Sequence, residues 1–438
     1  MASTSRDLLL ELYSAAVDGA DPGPLTASAV EAVRLDRDRR ILVLAFGKAA
    51  TAMATATATT LLRSLHSIVG GVVVSQDGAT SPYPTMLAMT GDHPIPGRQS
   101  FAAAAKIGDI VGGRRASDVA IVLVSGGASS LIAAPLRGQS EADLMRLHEL
   151  LLDSGLDIAG MNTVRKRFSR WGGGRLALAL APAATYCLAV SDVIGDDLST
   201  IGSGPCVPDP STIGDVIATL QRGGLYDRIS QTQRDYLTSV MRGISPDTPK
   251  RTHPAFAHVT AQVVGTNRAA VIGASTRATQ RGLTVDVMSD PIQGEAATAG
   301  AKIANVMVQD RASGSTPRCT IWGGETTVAL LSGSRAAGGG GRCQELALAA
   351  ARVLHEAGEA AAGISILAAG TDGRDGTTDA AGACVDAGTW TAIQGNGRDP
   401  AAALSRHESN GALRAAGALI PRRATGTNVM DVVIGLVH

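Results

Sequence analysis

Short unbroken apolar runs alternate along this chain with stretches of helical period. Residues 41–46 (ILVLAF), 71–75, 119–124 (VAIVLV) and 184–190 are bounded by polar residues or glycine and read as buried strands. Leu8, Leu9, Leu12, Ala15 and Ala16 fall on one helical face, so a helix opens the chain. An Ala/Thr-rich helix ends near residue 65, another starts at Ser100, and two more cover 141–152 and 156–168. The polar, proline-bearing stretch 243–253 is the best boundary, dividing an N-terminal domain (1–245) from a C-terminal one (255–438). Beyond it the alternation resumes, with strands near 258–264, 284–288, 319–322, 364–369 and 432–437. Helices fall over 267–281 and 295–310 and from residue 342, and the block GGETTVALL (323–331) reads as another strand. Strands separated by helices predict an α/β fold of parallel βαβ units and a doubly wound sheet.

Composition narrows the class. A chain of 438 residues exceeds one ordinary core, which supports two domains. Lys plus Arg equals Asp plus Glu at 39 each, so no net field calls for nucleic acid or a membrane surface. The five cysteines are odd in number and form no CxxC, which argues against a disulfide framework or a zinc site. The N-terminal stretch has no apolar signal-peptide core, and no run approaches the roughly 20 apolar residues of a membrane span. The expectation is a soluble cytoplasmic protein, a monomer or homodimer, with small-molecule partners only.

Candidate chemistry gathers in residues 191–210 (SDVIGDDLSTIGSGPCVPDP), directly after the strand at 184–190. Asp192, Asp196 and Asp197 lie past a strand's carboxyl end, where open α/β sheets bind ligands. Acidic loops suit Mg²⁺, although caps and turns are the competing use of such aspartates. No Walker A loop, no GxGxxG with a downstream ribose acid and no GxSxG elbow occurs. The turn Ser125, Gly126, Gly127, with Ser129 or Ser130 opening a helix, is either an anion site or a tight βα turn. Lys48 (AFGKAA) and Arg342, which follows a glycine run, each set a cation at a helix start, where the dipole disfavours it. Together they look like a phosphate clamp. Asn162, Arg165 and Lys166 lie within one helical turn, by default a solvated face. His93, held in GDHPIP, suits an oriented donor. Glu325 and Asp372 each follow a strand and a glycine and fit metal or turn roles; Thr427 and Asn428 fit a ligand loop or a bare turn.

The segments AFGKAA, GDHPIPG, VSGGASSL, NTVRKRFSRWGGGRLA, SDVIGDDLSTIGSGPCVPDP, GGETTV, GRCQELALA, TDGRDGTTDAAGA and TGTNVMD occur in one order. In this the chain resembles the glycerate 2-kinases, the class II glycerate kinases with a C-terminal MOFRL domain, often called hydroxypyruvate reductases. The resemblance runs from about Arg6 to Val433. It implies a Rossmann-like N-terminal domain with a mainly parallel sheet, a smaller C-terminal α/β domain, and an active site in the cleft between them. It also implies ATP, Mg²⁺ and phosphorylation of D-glycerate on its 2-hydroxyl, with Lys48, Arg342 and Asp192 on the family's catalytic motifs.

On that basis Lys48 and Arg342 are expected to hold the transferring phosphoryl group. Asp192 would accept the hydroxyl proton or hold Mg²⁺, with Asp197 as second acid. Ser125, Gly126, Gly127, Glu325, Thr427 and Asn428 would contact the nucleotide, and Arg165, His93 and Ser129 the acid substrate. The rivals are an NAD(P)H-dependent hydroxypyruvate reductase, a non-catalytic sensor of the same fold, and a kinase for another short sugar acid.

Overall fold

A computed structural model describes residues 4–312, 314, 317–328 and 339–438. The chain divides into two compact units, Pro22–Gly265 on one side and Met1–Asp21 with Thr266–His438 on the other.

The unit Pro22–Gly265 is built on β1 (Arg40–Phe46), β2 (Ile68–Ser75), β3 (Met86–Thr90), β4 (Asp118–Val124), β5 (Ala184–Val190) and β6 (Val259–Gly265). All pair in parallel, in the order β3-β2-β1-β4-β5-β6. This is the doubly wound order. The reversal between β1 and β4 opens a crevice at the strands' carboxyl ends, where ligands bind in such sheets. β1 and β4 are buried almost end to end, which is why they read as unbroken apolar runs. β3 gave no such signal, because it pairs only with β2 and leaves Leu87 and Ala88 exposed. Helices Pro22–Ala32, Arg175–Leu180, Ile213–Arg222 and Gln231–Met241 were likewise not predicted.

The unit boundary does not follow the polar stretch 243–253. β6 completes the first sheet by pairing with β5, so that unit ends at Gly265. The opening helix Ser5–Gly19 packs instead on helix Asn267–Gln280 of the other unit. The two backbones pass so closely that a Cβ on Gly273 would overlap the Ala15 carbonyl.

The second sheet holds β7 (Thr284–Val287), β8 (Arg318–Gly324), β9 (Ile364–Gly370), β10 (Ala380–Asp386), β11 (Leu419–Pro421) and β12 (Asp431–Val437). Its order is β11-β10-β9-β12-β8-β7, and only β7 and β8 pair in parallel among the described residues. The last strand inserts between β8 and β9, antiparallel to both, so the parallel expectation holds for the first sheet alone. β8 stops at Gly324; past it Thr327 forms only an isolated bridge to Glu295, and residues 329–331 and Gly338 lie outside the described set. No helix among the described residues is long and apolar enough to cross a membrane.

One ion network in Pro22–Gly265 fixes the helix Ile158–Phe168. Asp209, whose side chain has no exposure, lies 3.0 Å from Lys166 Nζ and 3.3 Å from an Arg167 nitrogen. Thr248 donates to Asp209, and Arg167 also reaches Asp247 and the Ser211 carbonyl. Removing one partner of such a buried set leaves charge uncompensated. Asp209→Ala is therefore expected to cost about 3–5 kcal/mol of stability, read as a lowered urea midpoint.

Candidate active site

The crevice between β1 and β4 is shaped by a mutual lock of two turns. Gly47 has φ near +121°, and a Cβ there would strike Ser125, so this turn requires glycine. Gly47 N–H donates to the Val74 carbonyl, Lys48 N–H to the Gly126 carbonyl, and Ala49 N–H to Ser125 Oγ. Ser125 itself is buried, with its Oγ 3.4 Å from the Phe46 carbonyl. Its hydroxyl thus ties β4 to β1. The backbone donors at 47, 48 and 49 are all engaged, and Lys48 offers its exposed side chain instead. Helix Ala50–Arg63 begins two residues beyond Lys48, so the cation precedes the first turn and does not lie within it.

After β4, Gly127 adopts a left-handed conformation and Ala128, not Ser129 or Ser130, opens the helix Ala128–Leu131. One turn carries little dipole, so the helix-end argument for an anion fails there. Ser129 Oγ meets Ser203 Oγ at 2.7 Å, and Gly202 packs on Val124 and Ala128. The loop after β5 therefore folds back over the turn after β4.

In that loop Asp192 is half-buried. Asp197 accepts from Ser199 N–H (2.9 Å), Ser199 Oγ (2.7 Å) and Thr200 Oγ1 (2.8 Å). Both its oxygens serve the turn, which is the cap reading and not the metal reading. Among the described residues no three His, Cys, Asp or Glu side chains gather as a metal cluster. Mg²⁺ commonly keeps several waters and is held through one or two carboxylates plus substrate phosphates, and Asp192 is a donor of the right type for that.

The helix Ile158–Phe168 departs most from expectation. Asn162, Arg165, Lys166 and Arg167 are all buried, so this is no solvated face. Lys166 and Arg167 are matched by Asp209. Arg165, 8% exposed, has no carboxylate partner among the described residues, and burial draws its pKa down to about 10. It remains charged at neutral pH. His93, in the loop after β3, lies against Gly127; burial first, then the charges of Lys48 and Arg165, press its ring down to about 4 despite Asp77. Burial and the charges of Arg165 and His93 hold His148, on helix Glu141–Leu152, at about 3. His148 was not among the predicted residues, and its Nδ1 is sealed without a partner. The result is a buried cation flanked by neutral imidazoles, a setting for an anion with hydrogen-bonding groups.

The other unit gathers its charges at the start of helix Arg342–Ala357. Arg342 pairs with Glu325 and, at 3.3 Å, with Asp431, so the anions at this helix start are the protein's own. Register sets Asp431 opposite Gly324 on one side and Gly370 on the other, which brings Glu325 beside it. Burial opposes the charge of Arg342, but Asp431 and Glu325 outweigh it and raise its pKa. Asp375 caps the same helix, accepting from Cys343 N–H (3.1 Å) and Gln344 N–H (2.8 Å). Burial pushes both Asp375 and Asp431 up to about 6. Thr427 is buried and donates to the Ala20 carbonyl at 2.7 Å, so its hydroxyl closes the fold; Asn428 beside it is half-buried.

Comparison with known proteins bears on this arrangement. Residues 8–238 match the family described as a domain of unknown function, DUF4147, and residues 318–431 match the MOFRL family. The D-glycerate 2-kinase of Thermotoga maritima is 34% identical, over 99% of this chain and 98% of that protein. The glycerate 2-kinase of Pyrococcus horikoshii is 32% identical, over 100% of this chain and 98% of that one. A protein of Agrobacterium vitis provisionally named hydroxypyruvate reductase is 35% identical, over 98% and 94%. A crystal structure of the Thermotoga maritima glycerate kinase superposes with a TM-score of 0.84, covering 99% of each chain at 34% identity.

The shifted groups predict opposite pH responses. A histidine with a lowered folded pKa stabilises fully above its unfolded value, near 6.5, and that contribution is lost as pH falls toward 4. A carboxyl with a raised folded pKa stabilises fully below its unfolded value, near 3.8, and loses that as pH rises through about 6. Ring C2–H resonances of His93 and His148 should hold their neutral positions at mildly acidic pH, where exposed histidines are protonated. The side-chain carboxyl carbons of Asp375 and Asp431 should titrate near 6.

Proposed function

This chain belongs to the glycerate kinase family that joins a DUF4147 domain to a MOFRL domain, and from that premise we propose that it is an ATP-dependent D-glycerate 2-kinase. The 2-hydroxyl oxygen of D-glycerate forms a bond to the γ-phosphorus of ATP as the bridging P–O bond breaks. The products are 2-phospho-D-glycerate and ADP. The observation that carries this reading is Arg165: a buried guanidinium without a carboxylate among the described residues, in a unit whose sheet order opens a crevice. A short hydroxy acid supplies the missing charge through a two-point carboxylate contact.

The remaining roles follow from what phosphoryl transfer asks of a protein, which is alignment and stabilisation of charge on the moving group. Lys48, exposed and beside an occupied backbone, contacts the transferring phosphoryl oxygens. Arg342, aimed by Asp431 and Glu325, acts on the same group. Asp192 orients the 2-hydroxyl and takes its proton as the new bond forms. His93, neutral at physiological pH, hydrogen-bonds the acid beside Arg165, and Ser129 steadies the turn that faces it. The alternative role for Asp192 is that of metal ligand: it would then help to hold Mg²⁺, which would neutralise phosphate charge.

The reductase reading draws on the strand order and on a relative's name. Binding of a dinucleotide pyrophosphate in such sheets uses backbone N–H groups at the turn after β1. In this chain the donors of Gly47, Lys48 and Ala49 are already bonded to protein oxygens. That favours the kinase.

Incubation with ATP, Mg²⁺ and D-glycerate should yield a product that enolase consumes without added mutase, and hydroxypyruvate should cause no NADH loss. Lys48→Ala should lower kcat by about 10²–10³-fold, the typical loss of one charge-stabilising donor. Arg342→Ala leaves Asp431 unpaired, so Arg342→Lys, which keeps the charge without the fork, carries that comparison; kcat should fall in both while the thermal transition of the lysine variant holds. Arg165→Ala should act chiefly on KM for the acid.

A further inference from the structure

Two complementary atoms are left without partners at the acid site. Arg165 lies on helix Ile158–Phe168 and His148 on helix Glu141–Leu152, and these helices pack together through Leu144, Leu147, Leu151, Val164 and Phe168. The Nε–H of Arg165 and the Nδ1 of His148 are both sealed from solvent, and neither makes a hydrogen bond. Arg165 and His148 thus come from two helices in direct contact, and the Arg165 charge helps to hold the His148 ring neutral. A guanidinium Nε–H can only donate, and a neutral imidazole with its proton on Nε2 accepts at Nδ1. Sealed donors and acceptors in native proteins are nearly always paired, so an orphaned donor and an orphaned acceptor on two packed helices are candidates for a contact made in another state of the site. The two Nη groups of Arg165 are not among the sealed atoms, which leaves that edge for a ligand.

We propose that His148 is a positioning residue for the acceptor acid: a carboxylate bridging the Nη groups draws the Arg165 guanidinium into line, and its Nε–H then donates to His148 Nδ1. This rests on Arg165 as the carboxylate ligand. Loss of the contact weakens acid binding more than chemistry, because the phosphoryl-handling groups lie elsewhere. Asn162 Oδ1, three residues earlier on the helix, is a second sealed acceptor without a partner, but its amide is already fixed by a bond to the Thr200 carbonyl. It is the natural competitor for the same proton.

The test compares wild type with His148→Leu, which removes the acceptor, and His148→Asn, whose Oδ1 restores one at the same branch point. His148→Leu should raise KM for D-glycerate about ten-fold or more, as loss of a charge-assisted hydrogen bond does, with a far smaller change in kcat and in KM for ATP. His148→Asn should recover most of the loss. In wild type the Arg165 Nε–H resonance should become slowly exchanging as D-glycerate is added, and in His148→Leu it should not. An unchanged acid KM in His148→Leu, or no recovery in a folded His148→Asn, overturns the proposal. So does a protected Nε–H that disappears in Asn162→Leu and persists in His148→Leu. If wild type phosphorylates no hydroxy acid, the kinase reading fails by itself. The Nε–H resonance, followed with D-glycerate or acetate, then still decides whether a carboxylate locks Arg165 onto His148.

Discussion

A single buried carboxylate sets the terms for the unit Pro22–Gly265. Asp209 lies without exposure between Lys166 and Arg167, and with Thr248 and Ser211 it joins the helix Ile158–Phe168 to the tail of the loop after β5. Three consecutive cations on a helix fan out by about 100° per residue, so no one acid can serve them all. Asp209 takes two. The helix is thereby committed to a buried position in which Arg165 points elsewhere, charged and uncompensated among the described residues. The cost of that burial is tolerable in the protein because its neighbours on the helix are anchored.

The two cations expected to act together meet different local physics. Lys48 stands exposed at a turn whose backbone donors are all engaged, so the side chain is what that turn presents. Arg342 sits at the true start of its helix, where Asp375 caps the backbone and Asp431 and Glu325 hold the guanidinium. An arginine held this way keeps little side-chain freedom. Lysine on a flexible stem gives reach, and arginine in a carboxylate cradle gives direction.

Strands buried on both faces announced themselves in the sequence, which is why β1, β4, β5 and β9 lie where their apolar runs do. β3 and β10 did not: the first is a half-exposed edge, and the second (AAGACVD) is made of small residues with little pattern. The unit boundary was hidden because a polar linker looks the same whether it ends a domain or leads into its last strand. Arg165 was legible as a residue type at a sensible spacing, yet its burial was not, since a basic run on a helix ordinarily faces water. His148 did leave a trace. Leu144, Leu147, His148 and Leu151 form one helical stripe, and a histidine in an otherwise leucine stripe is a polar group assigned to the core.

The first sheet has the strand order of dinucleotide enzymes, so order alone would fit a reductase as well as a kinase. What separates the two is where the first turn spends its hydrogen-bond donors. A pyrophosphate bound by backbone needs free N–H groups and glycines to approach them. Here Gly47 is glycine for another reason: Ser125 leaves no space for a Cβ, and the same serine takes the Ala49 N–H. A turn closed on its own protein cannot also cradle a diphosphate through its backbone. It can still project a lysine, and a flexible cation suits a group that moves during the reaction better than one that must be held still. One hydroxyl at the end of β4 thus closes the turn that such sheets use for a dinucleotide.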